Sequence, residues 1–290
     1  MPLVTRILVP IDFSAPSEGS ARYAQAIARS MGSEVTLLHV MQSPEFEYAP
    51  VQITRKRMDT LLAPKSRELQ LELEQLLADP SGGHTIKRIL LKGDPAEQIL
   101  LCARSEMADL IVLPTHGFDP VRRFLLGSTA LKVLHGAEIP VCTGVHFENF
   151  ANGTASLPAR ILCGLDLGPR TAQVLEWAAH LAVQFGAQLT VAHAAPDLGG
   201  NGSDFVRPDW RETLHGRLQE EVNKLKQAPA DEVRIAVETG DPHKALSETV
   251  RRSNAGLLVI GRGTSEGLFG RLRANAYAII RASPCPVLSV

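Results

Sequence analysis

The chain has 290 residues, with 30 Lys plus Arg against 31 Asp plus Glu and 44% hydrophobic residues. That balance gives no global charge bias toward nucleic acid or anionic lipid, so any anionic ligand must be held locally, and no run of about 18 apolar residues marks a membrane span. The 4 cysteines lie far apart with no Cys-x-x-Cys pair, which argues against a zinc knuckle or disulfide framework and for a reducing, cytoplasmic setting.

The first apolar run, Ile7 to Ile11, is too short for a helix and lacks polar alternation, as expected of a strand buried on both faces. An amphipathic stretch follows, with Ala24, Ile27, Ala28 and Met31 on one face, and it stops at Gly32 as a helix C-cap would. Val35 to Val40 is a second strand and completes a βαβ unit. After a divergent stretch from Met41 to about Arg57, Leu69, Leu73 and Leu76 share the face of another helix. Ile86 to Leu91 reads as a third strand. Gly93-Asp94-Pro95 then opens a helix, with Asp94 as N-cap and Pro95 at the first helical position. A fourth strand at Leu110 to Leu113 leads into a glycine-containing loop, a helix from about Ser128 to His135, and a fifth strand from Pro140-Val141-Cys142.

The same order then begins again. Arg6-Ile7-Leu8-Val9-Pro10-Ile11-Asp12 returns as Arg160-Ile161-Leu162-Cys163-Gly164-Leu165-Asp166, and His39 returns as His193. Gly93-Asp94-Pro95 reappears as Gly240-Asp241-Pro242, Leu110 to Leu113 as Leu257 to Ile260, and the last strand as Pro286 to Val290. The chain is therefore a tandem of two domains, 1–146 and 160–290, joined by a polar linker at 147–159. Strand and helix alternate throughout, so each half is expected to be α/β, an open parallel five-strand sheet with helices on both faces. Asn152-Gly153-Thr154 and Asn201-Gly202-Ser203 read as polar loops.

Ligands of such sheets bind beyond the carboxyl ends of the strands, where strand order reverses. That places Asp12 and the run from Pro114 to Thr129 in view. Gly117, nine residues, then Gly127-Ser128 at a helix start would allow close backbone approach and offer free amides to phosphate; the alternative is an ordinary N-cap beside a tight turn. The second copy has Gly261, Thr264, Ala274 and Asn275 where the first has Pro114, Gly117, Gly127 and Ser128. Asp12 recurs as Asp166, leaving both a ligand contact and a turn cap open. His39 and His193 read as satisfied, half-buried histidines, whereas His116 is matched by Gly263 and is the better functional candidate. Arg122, Arg123, Arg271 and Arg273 flank the loops as a solvated face or as phosphate neutralisers, without the interleaved aromatics of a nucleic-acid platform. Gly263-Thr264-Ser265-Glu266-Gly267 spells a nucleophile elbow, but no histidine follows Ser265.

Val9-Pro10-Ile11-Asp12, Pro114-x-x-Gly117-x9-Gly127-Ser128 and the closing Pro-Val strands together resemble the universal stress protein family over nearly the whole chain. ATP-binding members of that family carry Gly-x-x-Gly-x9-Gly followed by Ser or Thr, from which Pro114 departs. The resemblance implies a Rossmann-like fold of the adenine nucleotide alpha hydrolase type, with the domains packed as an internal pseudo-dimer through strands near Val141 and Val287. It implies that Asp12 lies by the ribose and that Pro10, Ile11 and Val40 flank the adenine. Leu113, Pro114, His116 and Gly117 would follow the nucleotide along the loop, and Gly127, Ser128 and Thr129 would meet the phosphates of ATP, ADP or AMP, with Mg²⁺. The implied function is a stress-response binding protein acting through a protein partner, with at most slow ATP hydrolysis and only the N-terminal half holding nucleotide. A homodimer of the tandem chain stays open. So do two other functions. One is a nucleotide-free scaffold in which Pro114, lacking an amide hydrogen and fixed in φ, has closed the first site. The other is a nucleotidyl or phosphoryl transfer enzyme, although no Walker Gly-Lys-Ser/Thr is present.

Overall fold

The computed structural model describes residues 3–42, 55–77, 86–117, 126–144, 146–151, 156–195, 210–225, 233–262 and 270–290, with side chains of 55–61 and 270–274 excepted. Arg122, Arg123, the Ser265 motif and the loops at Asn152 and Asn201 lie outside the described residues, as do the side chains of Arg271 and Arg273. The chain divides into two compact units. One comprises Pro2–Ile139 with Phe147–Ala155, and the other Pro140–His146 with Ser156–Val290.

In the first unit, β1 (Arg6–Ile11), α1 (Ala15–Met31), β2 (Glu34–Met41), α2 (Arg55–Gln75), β3 (Ile86–Lys92), α3 (Pro95–Ser105), β4 (Leu110–Pro114) and α4 (Ser128–Gly136) alternate along the chain. Strand order is β3-β2-β1-β4, all parallel. The central strands are apolar because both faces are covered: Ile7, Leu8, Val9, Ile111 and Val112 are at most 1% exposed. Order reverses between β1 and β4, so a crevice opens beyond their carboxyl ends.

In the second unit, β6 (Arg160–Gly164), α5 (Thr171–Phe185), β7 (Gln188–Ala195), α6 (Trp210–Asn223), β8 (Arg234–Thr239), α7 (Pro242–Ser253), β9 (Leu257–Ile260), α8 (Gly270–Ala282) and β10 (Val287–Ser289) repeat the pattern, in the parallel order β10-β9-β6-β7-β8. The fifth strand of the first repeat, β5 (Val141–Gly144), also belongs to this unit. It pairs antiparallel with β10, with Leu288 opposite Cys142.

Local signals account for the helix ends. Gly32 and Gly186 end α1 and α5 with φ of 69° and 61°, a left-handed conformation that a side chain resists. Asp94 and Asp241 cap α3 and α7 with Pro at the next position, accepting from the amides of Glu97 and His243 at 3.0 Å each. The Glu97 amide, and after it the Lys132 ammonium at 3.0 Å, hold the Asp94 carboxyl below its ordinary pKa. A depressed carboxylate pKa stabilises the fold above the ordinary carboxylate range, and that contribution fades as pH falls through the folded value. Loss of the cap bond in Asp94→Ala is expected to cost about 1 kcal/mol at neutral pH. Urea midpoints of the wild type and variant should converge in acid.

The 147–159 stretch, expected to be linker throughout, instead starts with a 3-10 turn at Phe147–Phe150. Phe147 is fully buried, and Tyr23 of α1 meets the Phe147 and Phe150 rings at centroid distances of 5.5 and 5.3 Å. Two large aromatics bury more apolar area than a solvated linker would leave them, which draws the turn onto α1. All four cysteines are free and buried. Burial pushes the thiols of Cys102 and Cys285 up to about 11 and those of Cys142 and Cys163 up further, so thiolate chemistry is suppressed. Among the described residues no helix is long and apolar enough to cross a membrane.

Candidate functional site

Chain reversal after β1 is built on Asp12. Its Oδ1 accepts from the Ser14 amide at 3.0 Å and the Ser14 hydroxyl at 2.5 Å, while its own amide donates to Ser17 Oγ at 3.3 Å. Phe13 takes φ of 63° in this tight turn, and Leu167 takes 56° at the matching place in the second repeat. There Asp166 Oδ1 likewise accepts from the Gly168 amide, at 2.9 Å. The turn-capping role of the aspartate is thus common to both repeats. The other oxygen of Asp12 faces the loop after β4: a Cβ placed on Gly117 would lie 2.2 Å from Oδ2. Gly117 does not have positive φ, so its glycine serves close approach to that carboxylate.

The loop itself leaves β4 at Pro114, which closes the strand in extended backbone. The position therefore does not demand the positive φ that proline would refuse. Thr115 and His116 are buried, and Thr115 Oγ1 lies 3.0 Å from His116 Nδ1. His116, the loop histidine without a counterpart, is therefore enclosed rather than solvated. The Gly127 amide donates to the Thr115 carbonyl at 2.7 Å, tying the start of α4 to the end of β4. Gly127 is the N-cap of α4 and has no side-chain cap bond; the first helical bond runs from the Leu131 amide to the Gly127 carbonyl. The N-cap thus takes up none of the opening amides of α4, which stand at the positive end of the helix dipole.

These pieces line one half-open cleft of about 670 Å³. Pro10, Ile11, Asp12, Val40, Leu113, Pro114, His116, Gly117, Gly127, Ser128 and Thr129 all contribute to its wall, so the residues that the family resemblance implied are brought together. The volume falls within the roughly 300–1,000 Å³ usual for small-molecule sites. His39 lines the cleft too, but its Nδ1–H donates to the Ile11 carbonyl at 2.7 Å, and the Phe13 ring lies 4.7 Å away. His193 repeats that bond to Leu165 at 2.8 Å, which marks it as a folding contact. Ser17, Lys65, Leu69, Pro95 and Ile99 also line the cleft, although the sequence pointed to none of them as a site residue. No group of three His, Cys, Asp or Glu side chains fit to hold a metal occurs among the described residues.

The second repeat differs at the matching place. α8 begins at Gly270, so Ala274, the counterpart of Gly127, lies inside a helix rather than at its start. Residues 263–269, which include the Gly117 counterpart Thr264, lie outside the described residues.

Residues 4–143 and again 159–290 match the universal stress protein family. The chain belongs to that family. A universal stress protein of Mycolicibacterium smegmatis is 28% identical across 98% of this chain and 96% of its own length, which extends the likeness to the tandem arrangement. One from Methanocaldococcus jannaschii is 31% identical over 48% of this chain and 81% of its own. Among solved structures, a universal stress protein from Archaeoglobus fulgidus superposes with a TM-score of 0.69 at 22% identity, covering 98% of this chain and 95% of that one. That match supports the fold. The universal stress protein repeats explain why the two halves share strands and caps; they leave open what the cleft holds.

Proposed function

We propose that the N-terminal repeat holds an adenine nucleotide, ATP, ADP or AMP, in the cleft beyond β1 and β4, and that the bound state is read by a protein partner in a cytoplasmic stress response. The observation that carries this reading is the meeting of Asp12, Gly117 and Gly127 at a helix start whose N-cap has no side chain, within a cleft walled by Pro10, Ile11 and Val40. A dipole-aligned row of amides suits phosphate, a carboxylate oxygen suits ribose hydroxyls, and the apolar strand ends suit a purine face.

The two glycines fit the same ligand. Any side chain at Gly117 would displace Asp12, and one at Gly127 would crowd the Thr115 carbonyl, 3.2 Å from the position of its Cβ. Mg²⁺ entering with ATP would be carried by phosphate and water oxygens, because Asp12 is the one carboxylate among the described residues that line the cleft. We assign a binding role, with hydrolysis slow at most. The second repeat is assigned no nucleotide, since its Ala274 offers no helix start.

Isothermal calorimetry with ATP and Mg²⁺ tests the assignment. A saturable heat is expected, with ADP and AMP competing for the same site. No heat with any of the three up to millimolar concentration would favour a nucleotide-free scaffold instead.

A further inference from the structure

The described lining of the cleft includes a cation that the motifs do not contain. Among the described residues lining it, Lys65 is the only Lys or Arg. It lies on α2, directly after Pro64 within that helix and just past the divergent stretch that ends at about Arg57.

An exposed lysine on a helix is ordinarily a solvated face, but the position of this one argues otherwise. Lys65, Leu69 and Leu73 follow one another at i, i+4 and share a face of α2. Leu69 is 8% exposed and Leu73 is fully buried, so this is the face that α2 turns inward. α6 occupies the same place in the second repeat, between its second and third strands, and its buried pair at the same spacing is Leu218 and Val222. One step earlier on that stripe stands Leu214, a half-buried leucine. The inward stripe therefore reads Leu-Leu-Val in the repeat whose glycine motif is lost and Lys-Leu-Leu in the repeat that keeps Gly117, Gly127 and Ser128.

α2 is also held firmly enough to present the residue. Arg88 on β3 donates from Nε to the Leu73 carbonyl and from a terminal nitrogen to the Leu76 carbonyl, each at 2.9 Å, which secures the C-terminal end of the helix. The ammonium of Lys65 meets Glu68 at 2.9 Å in an i, i+3 pair whose side chains are 55% and 64% exposed. Such a pair contributes little and yields readily to a ligand anion.

We propose that Lys65 is an anion-recognition residue of the cleft, pairing with the phosphate chain of the nucleotide and setting preference for charged nucleotides over the nucleoside. The proposal rests on the nucleotide reading of the cleft. Long lysine stems bury their methylenes along apolar surface while the head stays wet, so Lys65 can pack beside Leu69 and still reach an anion.

The test compares wild type, Lys65→Leu and Lys65→Arg by calorimetry with ATP, AMP and adenosine at low and high salt. Lys65→Leu installs the stripe already present in the second repeat, so the fold should persist, as a thermal melt will show. ATP affinity is expected to fall about tenfold in Lys65→Leu at low salt and less at high salt, while adenosine is unaffected and Lys65→Arg keeps most of the affinity. Unchanged ATP affinity in Lys65→Leu, or an equal loss for ATP and adenosine, would overturn the role of Lys65 and leave the nucleotide site standing. Failure of the wild type to bind any of the three would overturn both.

Discussion

Gly127→Glu is expected to abolish ATP binding while leaving the fold intact, and Ala274→Glu is expected to leave binding unchanged. The new carboxylate would stand at the N-cap of α4, in the place proposed for phosphate. Two like charges about 4 Å apart repel by about 4 kcal/mol at an effective dielectric constant near 20, and the added bulk meets the Thr115 carbonyl 3.2 Å from its Cβ. Affinity should therefore fall by at least about a hundredfold. Fold stability moves little, because a carboxylate at a helix N-terminus is electrostatically favourable. Ala274 lies within α8, in the other unit. Calorimetry with ATP reads the binding of each variant, and thermal melting confirms that both are folded. Equal loss of binding from both would refute the assignment of the site to the first repeat.

Gly19→Ala is expected to destabilise the protein by about 2 kcal/mol, although alanine ordinarily strengthens a helix by about 1 kcal/mol over glycine. A Cβ at Gly19 would lie 1.8 Å from the Phe147 carbonyl oxygen and 2.6 Å from its carbon, both backbone atoms of the 3-10 turn packed on α1. The turn must shift, and with it the packing of Phe147 and Phe150 on Tyr23. Gly216 within α6 is the control, since a Cβ there meets nothing within 4 Å. Gly216→Ala should raise stability by roughly 0.5–1 kcal/mol. Urea midpoints that move in the same direction for both substitutions would contradict this account of Gly19.

Much of the fold is legible because its determinants are local. Apolar runs such as Ile7 to Ile11, the Asp-Pro caps at Asp94 and Asp241, and the Gly32 C-cap each act within one turn of helix or strand. The candidate site is legible for a topological reason: a parallel sheet brings Asp12 and Pro114, far apart in sequence, to neighbouring strand ends at the point of reversal. What stays hidden depends on long-range packing. Lys65 and Leu69 reach the cleft from α2, which follows the divergent stretch, and no spacing rule connects them to Asp12. Phe147 looks like part of a linker, and only the pair of phenylalanines three residues apart hints at a buried turn. The antiparallel partnership of β5 with β10 likewise rests on edge pairing rather than on any motif in Val141 to Gly144. Asp12 shows why the choice between structure and ligand was open, since one carboxylate oxygen closes a turn common to both repeats and the other faces Gly117.

The central claim is a division between repeats, one holding a nucleotide and the other not. Native mass spectrometry of the intact chain titrated with ATP and Mg²⁺ reads it most directly. The expected spectrum saturates at a single nucleotide per chain, lost on Gly127→Glu and kept on Ala274→Glu. Saturation at two nucleotides per chain, or none at any concentration, would contradict it.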